Sequence, residues 1–189
     1  MDKLILMLGP KAKKLKTFFT NYDLVYSDEP ICANAVRRLR PDWIVSFGYR
    51  HIIRPDVISV MRRDSIINCH PSLLPYGRGA NPNYWSWRLG EPQGVSIHAV
   101  DAGLDTGPVF AQREVNFKAP GELTLSQTYE ALEHELVDLF KTVWPRIESG
   151  TLKPLPQDTS KGMSYHTTRE LPFLANGWET TIREVLGYD

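Results

Sequence analysis

The chain has 189 residues, 42% of them hydrophobic, with 22 Lys+Arg balanced by 22 Asp+Glu. That length suits one domain with a sizeable core, and the apolar content excludes a disordered chain. Zero net charge gives no field for non-specific binding to nucleic acid or anionic membrane, so neither partner is expected.

Two cysteines, Cys32 and Cys69, are too few for a disulfide framework and have no metal-ligand spacing. A reducing compartment and no metal are expected. The opening MDKLILMLGPKAKK is too short an apolar run for a signal segment. No stretch approaches the roughly 20 apolar residues of a membrane span, so a cytoplasmic location is expected.

In chain order, Leu4–Leu8 reads as a first strand closed by Gly9-Pro10. Lys11, Lys13, Lys14 and Lys16 then crowd a helix start, as a patch for an anionic substrate or as a solvated face. Asp23–Tyr26 reads as a second short strand, and Ile31–Arg40 as a helix with its arginines outward. Trp43–Phe47 is a buried strand ending at Gly48, and Pro55 opens a short helix. Ser65–Asn68 is the next strand.

Strands alternating with helices predict an α/β chain with a mostly parallel, Rossmann-like sheet in three layers. Sites in such sheets lie outside the carboxyl ends of the strands. Gly48, His70 and Asp105 all fall there in this reading. Leu73–Gly79 is a loop, Asn83–Leu89 (NYWSWRL) a short aromatic helix, and Val95–Val100 and Val109–Val115 two further strands. Thr124–Val143 carries apolar residues at helical spacing and is the longest helix. From Ser149 the chain turns proline-rich and polar. Residues 150–189 read as a surface tail of a single domain spanning 1–189, with a small helix in Gly177–Leu186.

The chemistry concentrates in IINCHPSLLPYGRG and in LDTG. Asn68 and His70 stand two apart in a strand, hence on one face. Imidazole titrates near neutrality, as a general base for an amine must. Asn68 offers an uncharged N–H donor for an oxyanion, and Asp105 a carboxylate to orient the imidazole. Each has a bland reading: a packed histidine, a strand-end amide, a turn aspartate. Cys69 alternates to the other face, and Ser72 has no partner base. Direct transfer is therefore expected over a covalent enzyme intermediate or a Ser/Cys hydrolase.

The stretches INCHPSLLPYGRG and GVSIHAVDAGLDTGPVFAQREV resemble the folate-dependent formyltransferase family. The resemblance implies a formyltransferase-type fold, 10-formyltetrahydrofolate as co-substrate, and a catalytic set at Asn68, His70 and Asp105. It implies folate contacts in two loops. Phe47, Tyr49, His51 and Ile53 belong to the first, and Val100, Asp101, Gly103 and Leu104 to the second. Tyr84, Trp85 and Arg78 are candidates for the acceptor side, and the two aromatics read equally as helix core. His98 reads as structural.

The acceptor implied is a primary amine, on a nucleotide-linked sugar or on an aminoacyl group held by a carrier protein. The lysine-rich turn after the first strand departs from the glycine/serine-rich phosphate loop of glycinamide ribonucleotide formyltransferases. Neutrality and the chain's length disfavour initiator methionyl-tRNA. The alternative is a folate-binding homologue or subunit without catalysis.

Overall fold

The computed structural model describes residues 3–187. Six strands form one sheet. In chain order they are β1 (Lys3–Leu8), β2 (Tyr22–Ser27), β3 (Trp43–Phe47), β4 (Ile66–His70), then, after a two-residue strand β5 (Arg78–Gly79), β6 (Gly94–Ala99) and β7 (Val109–Glu114). Their spatial order is β2-β1-β3-β4-β6-β7.

Alternation divides each central strand between two cores. Ile5, Met7, Val45, Phe47, Ile67 and Cys69 face one side. Leu6, Leu8, Ile44 and Ile66 face the other. A strand buried on both faces is the mark of a sheet between two helical layers, and the near-continuous apolar runs reflect it. The first layer is α4 (Leu125–Glu148), which lays Leu132, Leu136, Phe140 and Trp144 on the sheet. Thr124 caps this helix in a reciprocal capping box with Gln127. It runs past Val143 and through Pro145, because Trp144 and Ile147 are still buried in its last turn. The opposite layer holds α1 (Ala33–Leu39) and α2 (Pro55–Ile58), through Val36 and Val57.

The α/β, three-layer expectation holds, with one difference that matters for the site. β2, β1, β3 and β4 are mutually parallel, whereas β6 runs antiparallel to β4 and β7 antiparallel to β6. The segment between β4 and β6, which includes α3 (Pro82–Leu89), returns the chain beside β4 in reverse. Ala99, at the end of β6, therefore lies opposite Ile67 near the start of β4. Asp105 does not follow a parallel strand end as the sequence reading placed it.

The lysine-rich turn is a 3-10 segment, Pro10–Phe18. Lys11 and Lys14 clasp Glu133 of α4 at 2.7 and 2.6 Å, and the Glu133 side chain is only 3% exposed. Lys13 and Lys16 face solvent. After α4 the tail crosses the surface. It pairs Leu155 with Val109, adds β8 (Tyr165–His166) beside β5, and ends in α5 (Ile182–Leu186) packed with Tyr84 and Leu125. Among the described residues no helix is long and apolar enough to cross a membrane, and no cluster of three or more His, Cys, Asp or Glu could hold a metal ion.

Candidate active site

Asn68 and His70 project from the end of β4 on the face opposite Ile67 and Cys69, as period-two alternation requires. Burial pushes the Cys69 thiol up, leaving it an inert core group. Asp105 reaches the same place by another route. After β6, the 100–108 loop turns back over the seam between β4 and β6. Val100 donates its N–H to Ile66 O at 2.8 Å, and Ala99 N donates to Pro108 O at 2.9 Å. Asp101 Oδ1 ties the turn by accepting from Gly103 N (3.1 Å) and Thr106 Oγ1 (2.6 Å). Gly107 is needed for closure, since a Cβ there would lie 1.8 Å from Ala99 O. Asp105 itself adopts φ +53°, a left-handed conformation that surrounding bonds must hold.

Those bonds are specific. Asp105 Oδ1 accepts from Asn68 Nδ2 at 3.3 Å, and Oδ2 accepts from Gly79 N at 2.9 Å. His98 Nε2 is 3.6 Å from Oδ1 and His70 Nδ1 is 3.7 Å from Oδ2. The amide, imidazole and carboxylate singled out in the sequence thus converge.

The histidine tautomers follow from carbonyl partners, which only accept. His70 Nε2 lies 2.9 Å from Gly77 O and must donate to it. Its Nδ1 is then the lone pair, turned toward Asp105. His98 Nδ1 lies 2.8 Å from Ala99 O and donates there, so His98 Nε2 accepts from Asn68 Nδ2 at 3.2 Å. His98 is buried and orients the Asn68 amide.

The His70 pKa lies below the ordinary histidine value. Burial is the main cause, Asp105 opposes it, and His98 adds to it. Burial alone would raise the Asp105 carboxyl, but His70, His98 and the Gly79 N–H outweigh it and hold it well below the usual range. At neutral pH the pair is therefore neutral imidazole beside carboxylate. Of the three groups, His70 is the most buried and Asn68 keeps a partly exposed edge.

A cavity of about 340 Å³ opens beside this loop, lined by Ile58, Arg62, Ile66, Val100, Asp101 and Pro108 among others. Of the expected folate contacts, Val100 and Asp101 line it. Gly103 and Leu104 are exposed near the loop tip. Phe47 is buried in the α4-side core. Tyr49 uses its hydroxyl to donate to Glu29 O and accept from Ile31 N, and His51 Nε2 donates to Asp28 O. Ile53 packs with the opposite core.

The three acceptor-side candidates are engaged within the protein. Tyr84 is buried beside Leu125. Trp85 stacks on His166 at 3.8 Å between ring centroids. Arg78 is bonded through Nη2 and Nε to Gln157 Oε1 at 2.7 and 3.1 Å. Sequence reasoning missed Gly77, Gly79 and Gln157, none of which stands out from its neighbours by pattern.

A base lone pair, a carboxylate and an amide donor thus meet at one place, and the cavity beside the 100–108 loop is walled by charged residues, Arg62, Arg63, Asp64 and Asp101, as well as by apolar ones. A sequence profile described as formyl transferase matches residues 13–143, and the chain belongs to that family. It is 37% identical over 135 residues to a methionyl-tRNA formyltransferase of Myxococcus xanthus, covering 71% of this chain and 42% of that protein. The chain thus spans less than half the length of that relative.

Among solved structures it resembles the formyltransferase PseJ from Anoxybacillus kamchatkensis, in complex with UDP-4,6-dideoxy-4-formamido-L-AltNAc and tetrahydrofolate. The identity is 37%, the TM-score 0.87, and 98% of each chain is covered. A 4-N formyltransferase from Francisella tularensis shares the fold at 19% identity and a TM-score of 0.72, over 99% of this chain and 86% of its own.

Proposed function

We propose that the protein is an N-formyltransferase that moves the formyl group of 10-formyltetrahydrofolate onto a primary amine of a nucleotide-linked sugar. The observation that carries the reading is the 3.7 Å gap between His70 Nδ1 and Asp105 Oδ2. Neither atom bears a proton in the assigned state, so the two acceptors face one another without a shared hydrogen. A primary amine has two N–H groups and can satisfy both. The folate co-substrate supplies a formyl group on nitrogen, and the cavity beside Val100 and Asp101, with Ile58, Ile66 and Pro108 to pack a ring and Arg62, Arg63 and Asp64 to meet polar edges, has the size to take a flat bicyclic ring.

The chain's own groups then divide the work. His70 Nδ1 takes the amine proton as the new C–N bond forms. Asn68, by turning one Nδ2 hydrogen away from the long 3.3 Å bond to Asp105 Oδ1, donates to the oxygen that gains charge. Asp105 balances the imidazolium, and His70 returns the proton to the departing folate nitrogen. Transfer is direct, since Ser72 is bonded to Tyr76 O and Cys69 is buried on the far face.

The nucleotide-sugar acceptor is supported by the likeness to the PseJ complex along nearly the whole chain. Balanced charge gives no net positive field to draw tRNA. The test is release of tetrahydrofolate from 10-formyltetrahydrofolate with a panel of UDP- and dTDP-linked amino sugars, free amino sugars and aminoacyl carrier proteins. Turnover confined to the nucleotide-linked sugars, and abolished by His70→Ala, is the expected result. Folate binding without turnover on any amine would favour a non-catalytic folate-binding protein instead.

A further inference from the structure

Among the tail's side chains, Gln157 reaches the turn that carries Asp105. Gln157 Nε2 donates to two backbone carbonyls, Asp105 O and Gly107 O, each at 2.8 Å. Its Oε1 accepts from both Nη2 and Nε of Arg78, at 2.7 and 3.1 Å. Arg78 is buried, and its other side-chain partner is the Met163 sulfur at 3.8 Å. The next residue, Gly79, donates its N–H to Asp105 Oδ2. A closed circuit results: Asp105 carboxylate to Gly79, along the chain to Arg78, across to Gln157, and back to the Asp105 carbonyl. Both amide hydrogens and the amide oxygen of Gln157 are used in it.

We propose that Gln157 is a positioning residue for formyl transfer, holding the left-handed turn at Asp105 so that its carboxylate stays 3.7 Å from His70 Nδ1. The inference rests on the functional reading above and deepens it. A left-handed non-glycine residue persists only where its neighbours over-determine it. Here the side chain is held by Gly79 and Asn68, and the carbonyl by Gln157. Freed of Gln157, the 105–107 turn loses the bonds at its first and last carbonyls, and the carboxylate can swing from the imidazole.

A purely structural role, that of tying down the tail, is already filled by other contacts. Leu155 exchanges two backbone bonds with Val109, Tyr76 Oη donates to Lys161 O, and β8 pairs with β5.

The test replaces Gln157 by Met, which keeps length without hydrogen bonds, and separately by Leu. Turnover and the His70 titration are both followed, the latter by imidazole NMR without either substrate. The resonance is assigned by its loss in His70→Gln. Expected are a fall in kcat of about 10- to 100-fold, typical of an ångström's misplacement, KM values within about 3-fold, and a His70 midpoint lower than in the wild type. The sign follows from the withdrawal of a carboxylate that favours the charged imidazole. An unmoved His70 midpoint overturns the proposal, as does kcat within about 2-fold of wild type. Because the titration needs no acceptor, a shifted midpoint in a protein that formylates no amine would sink the functional reading while leaving the positioning role standing.

Discussion

Replacing Asp105 by Asn removes one charge and almost no volume, and its cost can be worked from three distances. In the proposed proton transfer His70 becomes an imidazolium with Nδ1 3.7 Å from Asp105 Oδ2. At an effective dielectric near 20, a unit charge pair at that distance is worth about 4 kcal/mol. That stabilisation exists only after the proton has moved, so it lowers the barrier rather than the ground state. At about 1.4 kcal/mol per decade, losing it slows turnover by about 10³-fold.

The amide adds a second penalty. Its NH₂ must face either the Gly79 N–H at 2.9 Å or the Asn68 Nδ2 at 3.3 Å. One of these partly exposed donors then loses its carboxylate acceptor, which costs about 1 kcal/mol of stability. The assay is single-turnover release of tetrahydrofolate under saturating amine, with folate affinity measured separately. A kcat near 10⁻³ of wild type with folate affinity within about 3-fold is expected. A variant within about 10-fold of wild-type turnover would refute the argument that this carboxylate balances the imidazolium.

Further outcomes follow from the same contacts. The acid limb of kcat/KM is expected below the ordinary histidine value of about 6.5, because burial keeps His70 neutral; a limb above 7 in a pH–rate profile would contradict it. For stability the sign is set by where protons bind. His70 has a lower pKa folded than unfolded, so the unfolded chain takes up more protons and stability falls as pH drops through about 6.5. Asp105, depressed in the fold, adds stability that is present above about 3.9 and lost on acidification below it, so urea midpoints decline toward acid on both counts. The double variant Lys11→Met, Lys14→Met leaves the buried Glu133 carboxylate without a cation. Its cost is about 3–5 kcal/mol, read as a lowered Tm, and a third change, Glu133→Met, should restore most of it. Gly107→Ala drives a Cβ to 1.8 Å from Ala99 O, so the loop must open. Turnover should fall with it and Tm drop by more than about 4 °C, where a silent variant would deny the loop its fixed path.

The sheet and the histidine were legible because period-two alternation governs both. Ile67 and Cys69 had to face α4 if Asn68 and His70 did not, and they do. The long helix was equally plain from its apolar stripe. Asp105 was expected at the carboxyl end of a strand and was assigned its role through the family resemblance, while turn chemistry offered only its bland reading. The sequence between β4 and β6 could serve a parallel crossover or a reversal, and no period separates the two. The structure chose reversal, and the carboxylate returns through a nine-residue loop (100–108) instead of standing at a strand end.

Other features depend on pairings across long sequence separations. His70's tautomer is set by a main-chain carbonyl at Gly77, which side-chain patterns do not announce. Glu133 sits among core residues of α4, an anomaly for an acid, and the lysines that answer it lie more than a hundred residues earlier. Gln157 lies in a tail whose composition reads as surface, yet its amide closes the site.

The central claim is that this cleft carries a one-carbon group from nitrogen to nitrogen, and the fate of a labelled carbon tests it most directly. With 10-formyltetrahydrofolate labelled with ¹³C in the formyl carbon and a UDP-linked 4-amino sugar, the label should appear in a formamide on the sugar, in step with tetrahydrofolate release. Label recovered as free formate, or retained on folate while the amine stays unmodified, would contradict the account.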